Sequence, residues 1–152
     1  MELAIRPYAT DDFDACVRLL AALPEWRDLP ESVRDYGSVL GAMPVWVATV
    51  GERVDALLAV LRSPQAHSAE LHLLAVAPHA RERGVGRALV EHVLAELRAA
   101  GTRTVTAMLL DPAHDDGRHD PARRLYEALG FEPLPRPEAL AAQPTVQWVK
   151  RL

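Results

Sequence analysis

The sequence has little cysteine and no long apolar run. Cys16 is the one cysteine among 152 residues, which excludes an internal disulfide and a metal site built from cysteines. Its place in the apolar pattern of a predicted helix indicates a small buried side chain and argues against a nucleophile. No segment approaches the roughly 18 apolar residues of a membrane span, and the first residues lack an apolar signal core. We therefore expect a cytoplasmic protein with no membrane partner.

A basic excess is also missing. The formal net charge is -4 and the isoelectric point is about 5.8, whereas proteins that grip nucleic acid or anionic membranes need an excess of Lys and Arg. The chain has no internal repeat, and its 12 prolines are scattered instead of gathered in a linker. We expect one domain over residues 1–152 and no nucleic-acid partner.

The apolar periodicity predicts an α/β protein with a mixed sheet flanked by helices. The predicted elements are a strand over Leu3–Arg6, a helix capped by Thr10 and stopped at Pro24, a hairpin of Val45–Val50 and Val54–Leu61, a strand over Glu70–Val76, a helix over Gly84–Ala100, a strand over Thr104–Leu110, a helix from Asp120 to Gly130, and a strand over Thr145–Val149. Residues 29–43 are ambiguous, with a short helix interrupted at Gly37 and Gly41 as the interpretation.

The most informative segment is a Gly-x-Gly turn, Gly84 to Gly86, between a predicted strand and a predicted helix. The start of a helix carries unpaired N–H groups and a partial positive charge, so it attracts anions. Arg81, Arg83 and Arg87 add side-chain charge around the turn. The expected ligand is a phosphate or pyrophosphate, and the alternative is a flexible turn with solvated arginines. A dinucleotide fingerprint would need glycine where Leu89 stands.

Two blocks give the chain a specific resemblance. The first is Arg81-x-x-Gly84-x-Gly86 after a strand and before an amphipathic helix, and the second is the segment 122–131, ARRLYEALGF. Together they resemble the acyl-CoA loop and the later Gly-Phe helix of the GNAT superfamily of N-acyltransferases. The resemblance implies the GNAT-type fold and an acetyl transfer from acetyl-CoA, as co-substrate, to an amine of a small molecule or peptide. Homodimers are common among such proteins, and no metal is implied.

The resemblance also implies how the co-substrate is held. The strand over Glu70–Val76 parts from its neighbour, the pantetheine arm lies in the gap, and a backbone N–H at Leu74 or Val76 stabilises the developing oxyanion. The pyrophosphate rests on the amides of the following loop. The implied contacts to the co-substrate are Leu74, Ala75, Val76, Arg81, Glu82, Arg83, Gly84, Val85, Gly86 and Arg87.

A base is needed because an amine with a pKa near 10 is mostly protonated at neutral pH. Strand alternation places Glu70 and His72 on one face. Glu70 matches the position where some histone-acetylating relatives carry their glutamate base, so it is favoured, directly or through a water. His72 is the second candidate, because a free histidine titrates near neutral pH. A pair of edge-strand side chains with no chemical role is the remaining alternative.

Tyr126 matches the tyrosine with which many members protonate the departing thiolate, and a phenol suits this task because it stays protonated at pH 7. The alternative is a tyrosine that only packs beside Leu125 and Leu129. Where many members carry an asparagine seven residues earlier, this chain has His119. The resemblance implies that residues 24–36 and 111–120 line the acceptor pocket, and their charges have solvation as an alternative role. An acyl-CoA sensor and a protein acetyltransferase remain open functions.

Overall fold

The computed structural model describes residues 2–23, 37–110 and 120–152. The strands are β1 (Leu3–Pro7), β2 (Val45–Val50), β3 (Arg53–Ser63), β4 (Ser68–Val76), β5 (Thr104–Leu110), β6 (Glu132–Pro133) and β7 (Thr145–Arg151). The helices within these ranges are α1 (Phe13–Ala21), α2 (Val85–Ala99) and α3 (Asp120–Ala128). None of these helices is both long and apolar enough to cross a membrane.

The described strands form one mixed sheet with the order β1-β2-β3-β4-β5-β7-β6. Neighbours pair antiparallel except β4 and β5, which run parallel. The parallel pair is the one whose two strands are connected by a long helix, α2, as a parallel crossover requires. The predicted α/β class with a mixed sheet is therefore confirmed, as is the antiparallel hairpin of β2 and β3.

Helix α2 covers the sheet with the stripe that its periodicity predicts. Val85, Leu89, Val93 and Leu97 are all buried, at the four-residue spacing of one helix face. Gly101 then adopts a φ of 96° directly after the helix, a left-handed conformation that glycine reaches without a Cβ clash. The predicted end of the helix is confirmed, because the chain has a residue there that can leave the helical path.

The start of α1 differs from the prediction. Thr10 does not cap the helix but lies within a single 3₁₀ turn, Thr10–Asp12, that precedes α1. Asp12 is the N-cap of α1 but makes no side-chain cap hydrogen bond to the helix. Its carboxylate instead accepts a hydrogen bond from the Ala9 N–H at 2.8 Å and two from the Arg6 guanidinium at 2.7 and 2.8 Å. A carboxylate paired with a guanidinium is a stronger acceptor than a hydroxyl. This arrangement ties β1 to the first turn of α1.

Several sequence expectations fall on residues outside the described ranges. They are the stop at Pro24, most of the ambiguous segment 29–43, the acceptor-lining segment 24–36, and the charged loop 111–119 with His119. The strand β6, which consists of two residues, is an element that the sequence pattern does not predict.

Candidate active site

Strands β4 and β5 pair only at their N-terminal ends. Their register joins Ser68 to Thr104, Ala69 to Val105 and Glu70 to Thr106. Beyond these residues the two strands no longer pair with each other, although β4 still pairs with β3 and β5 with β7. The strands part beyond Glu70, which leaves one edge of β4 open. Glu70 therefore marks the closed end of a gap, as the sequence resemblance implies for this strand.

The backbone donors of β4 point into this gap in alternation. The Ala77 N–H donates to the Asp55 carbonyl at 2.8 Å, so Ala77 faces β3. Successive residues of a strand direct their N–H groups to opposite edges, so Ala75 also faces β3, and the N–H groups of Leu74 and Val76 face the gap. The two residues predicted as oxyanion donors therefore present their N–H groups to the gap, whereas the N–H of Ala75 does not.

A β-bulge singles out His72. In the pairing of β3 with β4, Ala59 lies opposite Leu73 and Val60 lies opposite Leu71, so His72 is the extra residue on β4. A bulge bends its strand and redirects the side chain at that point. The His72 Nδ1 lies 3.4 Å from Glu70 Oε2, and both side chains are about one-third exposed.

The loop after β4 ends in a helix start that is open to anions. The first intrahelical bond of α2 runs from the Ala88 N–H to the Gly84 carbonyl at 2.9 Å, so the N–H groups of Val85, Gly86 and Arg87 precede the helical ladder. Gly84 has a φ of 79°, and a Cβ built on it would meet no atom within 4 Å. The geometry fits a pyrophosphate, which needs converging N–H donors and close backbone approach.

Position 86 requires a glycine for a different reason, namely close packing. A Cβ at this position would lie 3.0 Å from Val76 Cγ2 and 3.5 Å from Leu125 Cδ2. The first turn of α2 therefore packs closely against the end of β4 and against α3. Glycine here brings the orphan N–H groups of α2 close to the open edge of β4.

Tyr126 is buried beside the same space. Its side chain is 3% exposed, and its ring packs edge to face against Phe131 with centroids 5.1 Å apart. Burial strongly raises the pKa of the phenol, so the hydroxyl stays protonated. Within the described part of the chain, the hydroxyl has no hydrogen-bond partner.

These features share one cavity of about 580 Å³. Most of the predicted site residues line it, namely His72, Leu74, Val76, Arg81, Glu82, Gly84, Val85, Gly86, Arg87 and Tyr126. Glu70, Ala75 and Arg83 are described but do not line it: Glu70 reaches it only through His72, Ala75 is buried, and Arg83 is exposed.

Sequence reasoning missed another part of the lining. The additional residues are Leu23, Leu71, Leu73, Ala80, Met108, Leu109, Pro121, Ala122, Arg124 and Leu125. The lining residues of α3 could have been predicted from the sequence, because Ala122 and Leu125 share the amphipathic pattern of Tyr126. Met108 had no such signal, because its place two residues beyond the register partner of Glu70 is known only from the strand pairing.

Cys16 takes no part in this site. Its side chain is completely buried in the core, as its place in the helix pattern predicts. Burial raises the pKa of the thiol to about 11, so the thiol stays protonated at neutral pH.

Comparison with known proteins identifies the family. The profile described as "Acetyltransferase (GNAT) domain" matches residues 42–133. A mycothiol acetyltransferase from Beutenbergia cavernae is 41% identical over 74 residues, which are 49% of this chain and 23% of that protein. The chain thus spans about a quarter of the length of this curated relative.

Solved structures share the fold. A protein of the GNAT family from Desulfovibrio desulfuricans aligns with a TM-score of 0.83 at 22% identity, covering 99% of this chain and 98% of that one. The PaiA N-acetyltransferase from Thermoplasma acidophilum, in complex with coenzyme A, aligns with a TM-score of 0.81 at 13% identity over 100% of both chains. The ribosomal-protein-S18-alanine N-acetyltransferase from Escherichia coli aligns with a TM-score of 0.76 at 22% identity, covering 99% and 94%.

The mixed sheet and the sequence motifs agree with these comparisons. The chain belongs to the GNAT acetyltransferase family, a family of acyltransferases whose co-substrate is acetyl-CoA.

Proposed function

We propose that the enzyme transfers the acetyl group to a primary amine by direct attack of the amine in a ternary complex. The observation that carries the proposal is the common cavity, in which the open edge of β4 lies between the helix start of α2 and the His72–Glu70 pair, with Tyr126 on its wall. Direct attack needs a base, an oxyanion donor and an acid around one point, and this cavity contains a candidate for each.

His72 is the group that accepts the proton of the attacking ammonium. It lines the cavity, whereas Glu70 reaches the cavity only through its contact with the His72 Nδ1. The carboxylate orients the ring by accepting a hydrogen bond from Nδ1, and its charge stabilises the imidazolium that forms when the ring takes up the proton. Glu70 is a positioning residue in this proposal, whereas the sequence resemblance favours Glu70 as the base, and the kinetics of variants at the two positions distinguish the alternatives.

The remaining steps use backbone and phenol. As the amine nitrogen bonds to the carbonyl carbon, the N–H groups of Leu74 and Val76 stabilise the negative charge that develops on the oxygen. When the carbon–sulfur bond breaks, the Tyr126 hydroxyl donates its proton to the departing sulfur, which leaves as free thiol. The nitrogen then gives up its second proton, which restores the phenol, and the product is the neutral amide. The phenol is neutral at neutral pH, so it carries the proton that this step needs, and its raised pKa makes it a weaker acid than a free tyrosine.

The surface around the base indicates the chemistry of the acceptor. Leu61 is the register partner of Glu70 on β3, and Met108 lies on the matching face of β5. Both are exposed, at 41% and 47%, so two apolar side chains flank the carboxylate and the imidazole. This combination favours a cationic amine that has an apolar group next to it, such as an arylalkylamine or a peptide N-terminus.

The test is a thiol-release assay with acetyl-CoA and a panel of amines. The panel contains arylalkylamines, peptides with apolar N-termini, lysine peptides and polyamines. We expect turnover with one of the first two classes and at least about tenfold lower kcat/KM with polyamines, which lack the apolar group. Coenzyme A binding by calorimetry with no turnover on any amine would contradict the proposal and support a sensor.

A further inference from the structure

A buried carboxylate outside the cavity has contacts that the chemistry described above does not use. Asp55, near the start of β3, has a side chain only 3% exposed. Burial by itself would raise the pKa of this carboxyl, but hydrogen bonds from Arg53 and His79 outweigh it, so the pKa is lowered and the group is ionised. An ionised carboxylate is retained in such a place only when it is well paired.

Asp55 contacts the turn that follows β4 with both its backbone and its side chain. Its carbonyl accepts the hydrogen bond from Ala77 N–H at 2.8 Å, and its Oδ1 lies 3.1 Å from His79 Nε2. His79 belongs to the 3₁₀ turn Pro78–Ala80. A single residue of β3 therefore holds this turn at two points, one before it and one within it.

The same turn leads directly into the loop before α2, where we expect the pyrophosphate of the co-substrate to bind. Ala80 N–H donates to the Ala77 carbonyl at 2.9 Å, and the Arg81 Nε donates to the Val76 carbonyl at 3.1 Å. After Arg81, Glu82 and Gly84 both have positive φ, at 65° and 79°. A loop with two left-handed residues close together needs a fixed starting point, because each such residue admits alternative backbone paths.

The bond to His79 is not needed to satisfy the carboxylate. Arg53 already donates to it twice, through Nε at 2.6 Å and through Nη2 at 3.1 Å. His79 is 52% exposed, so water could satisfy its imidazole. The bond between Asp55 and His79 therefore contributes mainly to the position of the turn, and less to the burial of the charge.

We propose that His79, held by Asp55, is a positioning residue for the acyl-CoA loop and that this bond increases the affinity for the co-substrate. The proposal rests on the proposed function only for its kinetic readout, since coenzyme A binding can be measured without an acceptor. His79 must donate its Nε2 proton to a carboxylate, which can only accept. Glutamine keeps a donor at the end of its side chain, whereas alanine does not.

The experiment compares His79→Ala, His79→Gln and wild type by calorimetry with coenzyme A. We expect His79→Ala to weaken binding by about tenfold, which corresponds to about 1.4 kcal/mol, and His79→Gln to restore most of it. With an acceptor in hand, the KM for acetyl-CoA should rise by a similar factor in His79→Ala, whereas kcat and the KM for the acceptor stay unchanged.

His92→Ala is the matched control. His92 pairs with Glu96 on the surface of α2 at 3.0 Å, so this variant also removes a histidine–carboxylate contact, and its affinity for coenzyme A should equal that of wild type. Unchanged binding in His79→Ala would overturn the proposal. Equal losses in His79→Ala and His79→Gln, or a loss in kcat without one in affinity, would also overturn it.

Discussion

At the scale of single residues, the Tyr126 ring and the Tyr126 hydroxyl have separable roles. The ring packs against Phe131 in the core, whereas the hydroxyl has no partner among the described residues and lies in the cavity wall. Phenylalanine would preserve the first contact and remove only the second group. Substitution can therefore separate packing from proton donation.

Tyr126→Phe should lower kcat by about 100-fold, because general acid catalysis of this kind contributes at least that much. Thermal unfolding should change little, since the ring contact is kept. The matched control is Tyr8→Phe, which removes a hydroxyl outside the cavity and should leave kcat unchanged. An unchanged kcat in Tyr126→Phe would reduce the residue to a packing role.

The roles proposed for His72 and Glu70 predict which of two variants loses more activity. His72→Gln should lower kcat/KM by about 100-fold, and Glu70→Gln by about tenfold, because loss of a base costs more than loss of the group that orients it. The measurement is kcat/KM of both variants with the best amine of the panel. The reverse order would return the role of base to Glu70, as the strand position alone suggested.

At the scale of elements, the close contact between the first turn of α2 and the end of β4 positions the helix start that we expect to bind the pyrophosphate. Gly86→Ala should place a methyl group 3.0 Å from Val76 Cγ2, so the helix start must shift by a few tenths of an ångström. We expect the KM for acetyl-CoA to rise several-fold and the free energy of unfolding to fall by about 1 to 3 kcal/mol.

Gly37→Ala is the control for this change. The new Cβ would lie 3.7 Å from Val17 Cγ2, which is an ordinary contact, and Gly37 is not among the residues that line the cavity. Kinetic assays and urea unfolding of both variants test the contrast. A normal KM in Gly86→Ala would mean that the helix start tolerates displacement.

At the scale of the whole molecule, buried carboxylates make stability depend on pH. Hydrogen bonds from Arg6 lower the pKa of Asp12 below its ordinary value of 3.8. The pKa of Asp55 is also lowered, because hydrogen bonds from Arg53 and His79 outweigh the effect of burial. The pKa of each carboxyl is lower in the folded state than in the unfolded state. The ionised forms therefore contribute their full stabilisation at pH values above the unfolded-state pKa. This stabilisation is lost as the pH falls through the lowered pKa.

Asp12→Asn should therefore reduce the free energy of unfolding at pH 7 by about 1 kcal/mol, a value reduced by the partial exposure of Arg6. The difference from wild type should shrink as the pH falls below 4. Urea unfolding at pH 7, 5, 4 and 3 measures it, with the exposed Asp11→Asn as control. A difference that is independent of pH would mean that charge is not its source.

Much of the fold could be predicted from local patterns. The strand β5 and the ends of α2 agree with prediction to within a residue, because apolar periodicity and the glycine after α2 act over short distances. The predicted N-cap at Thr10 was wrong, because Thr10 lies within a 3₁₀ turn whose Asp12 carboxylate accepts hydrogen bonds from the Ala9 N–H and from Arg6 of the adjacent strand. That contact has no local signature.

Residue types at short spacing are enough to predict the order of elements, a helix start that can accept an anion, and the family. The parting of β4 and β5, the bulge at His72 and the contact between Asp55 and His79 emerge only from the folded chain. Strand register and contacts between distant segments depend on how the whole core packs, and no short pattern encodes them. The division of roles within the His72–Glu70 pair therefore became a testable proposal only once the cavity was known.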